Sequence, residues 1–197
     1  MNDEERARRE QYRYRLVESF FQLHQTGDSR DPSFDNIAAT IGLPAGSMET
    51  YFDSEDDWHL AIAARFRQRA LPLVAIDAVE GDRFEIRLRA LLVQRFRLFQ
   101  EYSSVSFLAR MQATSLPIAR DELRTARSFL HYQLKGLFGT ELQQMDQPTA
   151  AAALIATHVL CSFESIERIR EETNLPLSAI SEMLFTAVSK LLAVSPA

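Results

Sequence analysis

Apolar residues recur at intervals of three and four along almost the whole chain, and nowhere do they alternate over the length of a strand. That spacing buries one face of a helix and has no use in a sheet. Asn-Gly and Asp-Gly, the strongest short hairpin signals, are missing from the sequence. The expected fold class is all-α. With only 6 glycines and 7 prolines in 197 residues, breakers are few and their positions divide the chain. Residues 5–25 form a first segment, with Leu16, Phe20 and Leu23 on one face, Val17 and Phe21 beside them, and Gly27 as its stop. Residues 34–41 form a second, between Ser33 as N-cap and Gly42 as C-terminal stop. A third covers residues 45–52. A fourth begins after Ser54, whose spacing to Asp57 makes a capping box, and reaches about residue 74, with Pro72 ending or kinking it.

Longer segments follow. Residues 82–104, opening at Asp82, carry Phe84, Leu88, Leu91, Leu92, Phe96 and Phe99, and a shorter piece at 105–114 follows. Pro117 opens a segment to residue 138, before Gly139. Pro148 opens another to 173, and Pro176 the last, to about Val194. Proline belongs in a first helical turn.

Several function classes are set aside by residue content. The single cysteine, Cys161, excludes a disulfide framework and a thiolate zinc site. Asp56-x-x-His59 has no second copy, so a di-iron helical centre is not expected. Gly-rich phosphate loops and zinc spacings are missing too. The expectation is a non-enzyme without metal or cofactor. The longest apolar stretch, residues 150–163, is interrupted by Thr157 and His158 and falls short of the roughly 18 residues of a membrane span. The first ten residues are charged rather than apolar, so a cytoplasmic protein with no membrane partner is expected.

The two short segments carry most information. Helices of seven or eight residues are marginal alone in water. They need packing, which Phe34, Ile37, Ala38, Ile41, Leu43, Met48 and Phe52 can supply. A helix, a tight Gly-containing turn and a second helix make a helix-turn-helix pattern. The stretch PSFDNIAATIGLPAGSMETYFDSEDDWHLAIAARF resembles the DNA-binding segment of TetR-family transcriptional regulators. The agreement lies at Ser33, Ile37-Ala38, Gly42-Leu43, Gly46-Ser47 and Phe52 ahead of Ser54, while Trp58 stands where the family has leucine. It covers about residues 10–66. The rest matches only in layout.

The resemblance implies a homodimer with a helix-turn-helix DNA-binding domain at 1–54 and a helical ligand-binding and dimerising domain at 55–197. A small molecule in the second would shift the spacing of the two reading helices and release an operator, a shift between two states. Arg8, Arg9 and Arg13 would track phosphates, with Ser33, Ala45, Ser47, Thr50 and Tyr51 touching backbone or bases. The departures concern this same surface. Glu49 stands where the family has an aromatic residue, Thr50 where it often has histidine, and Glu55 where it has a phosphate-facing lysine. Residues 1–66 hold 13 acids and 7 bases, a balance of −6 within a chain of net charge −5. Five of those seven arginines cluster between residues 6 and 15, and Arg30 precedes the second segment. A local patch can bind phosphates despite a negative total. The rival reading is a TetR-like protein with a degenerate reader, acting through a ligand or a protein partner.

In the helical body the aromatics Phe96, Phe99, Phe107, Phe129, Tyr132, Phe138 and Phe163 serve either as core or as lining for a small apolar or aromatic ligand. The candidate contacts are Phe99, Phe107, Met111, Phe129, Tyr132 and His158. His158 is otherwise a buried histidine with one bonded nitrogen, and Cys161 an inert thiol. Apolar bands at residues 150–169 and 177–192 are wider than a solvent-facing helix needs. They serve either the chain's own core or a four-helix dimer interface built from the last two helices of each copy.

Overall fold

The computed structural model describes residues 2–25, 33–76 and 83–193. Gly27, Arg30, Asp82 and Val194 lie outside the described residues. Among those described, all regular structure is helical, as the periodicity requires. The elements are α1 (Asp3–Gln25), α2 (Phe34–Thr40), α3 (Met48–Tyr51), α4 (Glu55–Ala70), α5 (Phe84–Gln112), α6 (Pro117–Leu137), α7 (Gly139–Gln143), α8 (Gln147–Leu160), α9 (Phe163–Thr173) and α10 (Leu177–Leu192). A 3₁₀ turn over Leu71–Leu73 follows α4 and holds Pro72. No single described helix is long and apolar enough to cross a membrane.

The chain forms two compact units. The first comprises Met1–Leu71 and Ser104–Leu123, and so extends past residue 54 to include α4. The reason is Trp58, 2% exposed in α4, which sits in one aromatic cluster with Phe34 of α2 and with Phe52. The rings meet edge to face, with centroids 5.3 Å (Phe34–Trp58), 5.0 Å (Phe52–Trp58) and 5.9 Å (Phe34–Phe52) apart. Edge-to-face contact places positive ring edges on negative faces. Leu16, Phe20 and Phe21 of α1 close the cluster, and Ile41, Leu43 and Met48 pack at its margin. Every residue assigned from sequence to hold the short helices is therefore in this core or packed against it.

Caps fix the ends. Ser33 Oγ accepts the Asn36 N–H at 3.4 Å, and Ser54 Oγ accepts the Asp57 N–H at 3.1 Å. Gly42 and Gly46 both lie in the left-handed region, at φ +76° and +75°. Gly46 also donates its N–H to Asp35 Oδ1 at 2.8 Å. This second left-handed residue corrects the expected 45–52 helix. It keeps residues 45–47 out of the helix and leaves α3 only four residues.

The second unit comprises Pro72–Ser103 and Arg124–Ala197. Its core joins Leu88, Leu91, Leu92, Phe96 and Phe99 of α5 to Leu134 of α6, Ile166 of α9 and Ile180, Leu184, Val188 and Leu192 of α10. Most of the α10 band is thus spent inside its own unit. The expected break near residue 105 does not occur. Ser103, Ser104 and Ser106 do not interrupt the ladder, and α5 runs 29 residues. The expected single helix at 148–173 breaks instead. Ser162 caps α9 by accepting the Ser165 N–H at 3.2 Å, and the two helices bend by 58°. Asp146 caps α8 through the Thr149 N–H at 3.0 Å, with Pro148 in the first turn.

Removing the central aromatic tests this packing. Trp58→Ala should lower unfolding stability by about 3–5 kcal/mol, the usual cost of an aromatic truncation in a core. Trp58→Phe should cost distinctly less. Urea unfolding followed by circular dichroism reads both.

Candidate functional site

Arginines at four-residue spacing on α1 share one face. Arg9 and Arg13 use it to grip the end of α3. Arg9 Nε donates to the Tyr51 carbonyl at 3.0 Å, and Arg13 Nη1 donates to the same oxygen at 2.8 Å. The last carbonyls of a helix lack intrahelical partners, so two guanidinium donors satisfy an acceptor that would otherwise need water. Each arginine then pairs with a carboxylate just beyond α3. Arg9 Nη2 meets Asp53 at 2.6 Å. Arg13 holds Asp57 through two parallel bonds, at 2.6 and 2.9 Å. The Arg13 guanidinium also lies 4.4 Å from the Phe52 ring centroid.

Asp57 completes the α4 cap. While its N–H goes to Ser54, its carboxylate accepts the Asp53 N–H at 3.0 Å. The hydrogen bond from Arg13, reinforced by that N–H, holds the Asp57 carboxyl down to about 2. Asp57 in turn raises the Arg13 pKa, with the hydrogen bond as the largest cause. On the far side of α1, Glu18 binds Arg65 and Arg69 of α4.

Of the three arginines expected to track phosphates, two are engaged within the chain. Arg9 and Arg13 face the chain's own carboxylates, because Asp53 and Asp57 lie within reach once α3 docks on α1. Arg8 differs. It is exposed, and its guanidinium lies 5.9 Å from the Tyr12 ring centroid. Among the reader positions, Ala45, Glu49 and Thr50 are exposed and Tyr51 is half-buried. Ser47 is 8% exposed, with Oγ enclosed and without a hydrogen-bond partner. Ser33 spends its hydroxyl on the α2 cap. Glu55 is exposed and lies 3.6 Å from His59 Nε2.

The candidate ligand contacts are divided between the two units. Phe99 is 3% exposed and packs edge to face on Phe163 at 6.1 Å, as core. Phe107 and Met111 belong to the first unit and stand 47% and 60% exposed. Phe129 and Tyr132, in the second unit, are also exposed. Helical spacing alone does not tell an apolar outward face from an inward one. His158 is half-buried, its ring 5.2 Å from that of His131 and perpendicular to it. Burial, then His131 and Arg95, lower its pKa. Cys161 is buried, which pushes its thiol up to about 11 and leaves it unreactive. Exposed apolar side chains remain on α8, at Ile155 and Val159, and on α10, at Met183.

A cleft of about 340 Å³ opens elsewhere in the second unit, lined by Val74, Ala75, Ile76, Arg87, Gln133, Gly136 and Leu137. None of these was singled out from sequence. Among the described residues, no group of three or more His, Cys, Asp or Glu is placed to hold a metal.

No family model, curated protein or solved structure matches this chain.

The Asp57 pairing has a definite pH signature. A carboxyl lowered from 3.8 to about 2 on folding adds stability that is present above pH 4 and lost as pH falls towards 2. Asp57→Asn should lower stability at pH 7 by on the order of 1 kcal/mol, the scale of a charge-assisted hydrogen bond near the surface. The gap between variant and wild type should close between pH 4 and pH 2. Urea midpoints measured across that range check it.

Proposed function

We propose that the chain is a DNA-binding transcription regulator of the TetR kind, a repressor released by a small molecule. Residues 34–52 form its helix-turn-helix reader. The second unit takes the effector and pairs two copies through α8 and α10. One observation carries the reading. Two helices of seven and four residues, useless as isolated structure, are braced against α1 by a buried aromatic cluster and by Arg9 and Arg13. The bracing leaves Ala45, Glu49 and Thr50 outward. A short helix held rigid with its outer face uncovered is what insertion into a major groove requires. The resemblance of residues 10–66 to TetR readers agrees with this.

Arg8 supplies phosphate attraction from the start of α1. Glu49 accepts from a cytosine amino group, and Thr50 contacts a base or phosphate. Ile155, Val159 and Met183 provide the apolar surface for pairing.

The second reading is a reader that no longer engages DNA, and the Arg9–Asp53 and Arg13–Asp57 pairs favour it. They neutralise two cations that could otherwise displace counterions from a duplex. Exposed Glu49, Glu55 and Asp56 add like charge to a phosphate surface.

Fluorescence anisotropy separates the two. Labelled duplexes from the chain's own upstream region and a scrambled control are titrated over several salt concentrations. A regulator binds the native duplex selectively. Arg8→Ala then weakens binding to every sequence and reduces the salt slope by about 1. Glu55→Lys strengthens it. Absence of binding at low salt, from protein shown to be folded and dimeric, overturns the first reading in favour of the second.

A further inference from the structure

Arg95 stands among Leu91, Leu92, Phe96 and Phe99 on the inward face of α5 and is 1% exposed. Among the described residues its guanidinium has only neutral acceptors. Nη2 donates to the Leu130 carbonyl at 3.0 Å. Nη1 donates to Gln133 Oε1 at 3.0 Å and to Gln94 Oε1. No described carboxylate pairs with it. Arg87, one of its neighbours along α5, is different, because Glu141 takes it through two bonds. Burial pushes the Arg95 pKa down to about 10, which leaves it cationic at neutral pH. Cys161, whose charge would compensate it, is kept as a neutral thiol. A buried cation without a counter-ion is costly.

The two glutamines link this charge to the cleft. Gln133 Nε2 donates to the Val74 carbonyl at 2.7 Å and Gln94 Nε2 to the same oxygen at 2.9 Å. Gln133 also lines the cleft, with Val74, Ile76 and Leu137 as its apolar neighbours. One amide side chain therefore separates a mostly apolar space of about 340 Å³ from an uncompensated guanidinium. That volume falls among small-molecule sites.

We propose that this cleft binds a carboxylate with an apolar body, the carboxylate displacing the Gln133 amide oxygen and pairing with Arg95. An Arg fork matches a carboxylate with two parallel bonds and discriminates against a neutral amide of the same shape. Displacing Gln133 frees one of the two donors on Val74, so occupancy loosens the segment that follows α4 in the chain. The proposal names the effector chemistry of the regulator above and rests on that reading only for its regulatory meaning. The anion site itself stands or falls on binding to the protein alone.

The test titrates the full-length protein, without DNA, with octanoate and 3-phenylpropanoate against octanamide and 3-phenylpropanamide at constant ionic strength. Calorimetry gives the affinity and thermal unfolding gives the shift in Tm. At least one carboxylate should bind and raise Tm, and its amide should do neither at equal concentration. Arg95→Met should stay folded, since apolar replacement of buried ions is tolerated, and should weaken carboxylate binding at least about tenfold. Gln133→Leu removes the internal competitor and should tighten it at least about threefold. Failure of both carboxylates to bind overturns the proposal, as does equal binding of the amides. Unchanged affinity in Arg95→Met overturns it too, and if that variant does not fold, unchanged or weaker affinity in Gln133→Leu does so instead.

Discussion

A helix of four residues cannot hold itself together, so the position of α3 is decided by what grips it. The grip is one carbonyl oxygen, that of Tyr51, shared by two arginines of α1. The other contacts of this region follow from it. The same two guanidiniums reach Asp53 and Asp57, Asp57 completes the α4 cap, and Phe52 is trapped between Arg13 and Trp58. The backbone end of one helix, the start of the next and the aromatic core are thus fixed by neighbouring atoms of α1. The acids that look hostile to a nucleic acid in the sequence turn out, at residues 53 and 57, to be structural partners. The acids left facing outward are Glu49, Glu55 and Asp56.

Most of the described ion pairs join arginine to a carboxylate in either unit, and Arg95 stands apart from them. In the first, Arg9 and Arg13 are paired with Asp53 and Asp57, and the pairing organises the geometry around α3. In the second, Arg95 is enclosed and met by amides and a carbonyl. The first arrangement is complete as it stands. In the second, no carboxylate among the described residues meets Arg95, and that is the chemical ground for assigning an anionic ligand to the adjoining cleft.

What the sequence made legible was local. The Ser33 and Ser54 caps, the Gly42 stop and the seven packing residues of the short helices depend on spacing within a few positions, and all were found that way. Pairings across long separations were not. Arg9 and Asp53 are 44 residues apart, and nothing near either announces the other. The left-handed turn at Gly46 is not legible from spacing either, since the Asp35 carboxylate that accepts its N–H is eleven residues away. That Phe107, Phe129 and Tyr132 are exposed is not legible either, because periodicity gives a face without saying which way it turns. Arg95 could have been found. It sits four residues from both Leu91 and Phe99, inside an apolar stripe, which is where a charged residue should arouse interest.

The outward face of α3 and the start of α1 are the surfaces proposed to meet DNA. Amide hydrogen exchange on the whole chain, with and without the upstream duplex, tests that proposal most directly. The account predicts added protection confined to residues 44–51 and to the first turns of α1 around Arg8. Protection elsewhere with those segments unchanged, or no change at all on a folded dimer, would contradict it.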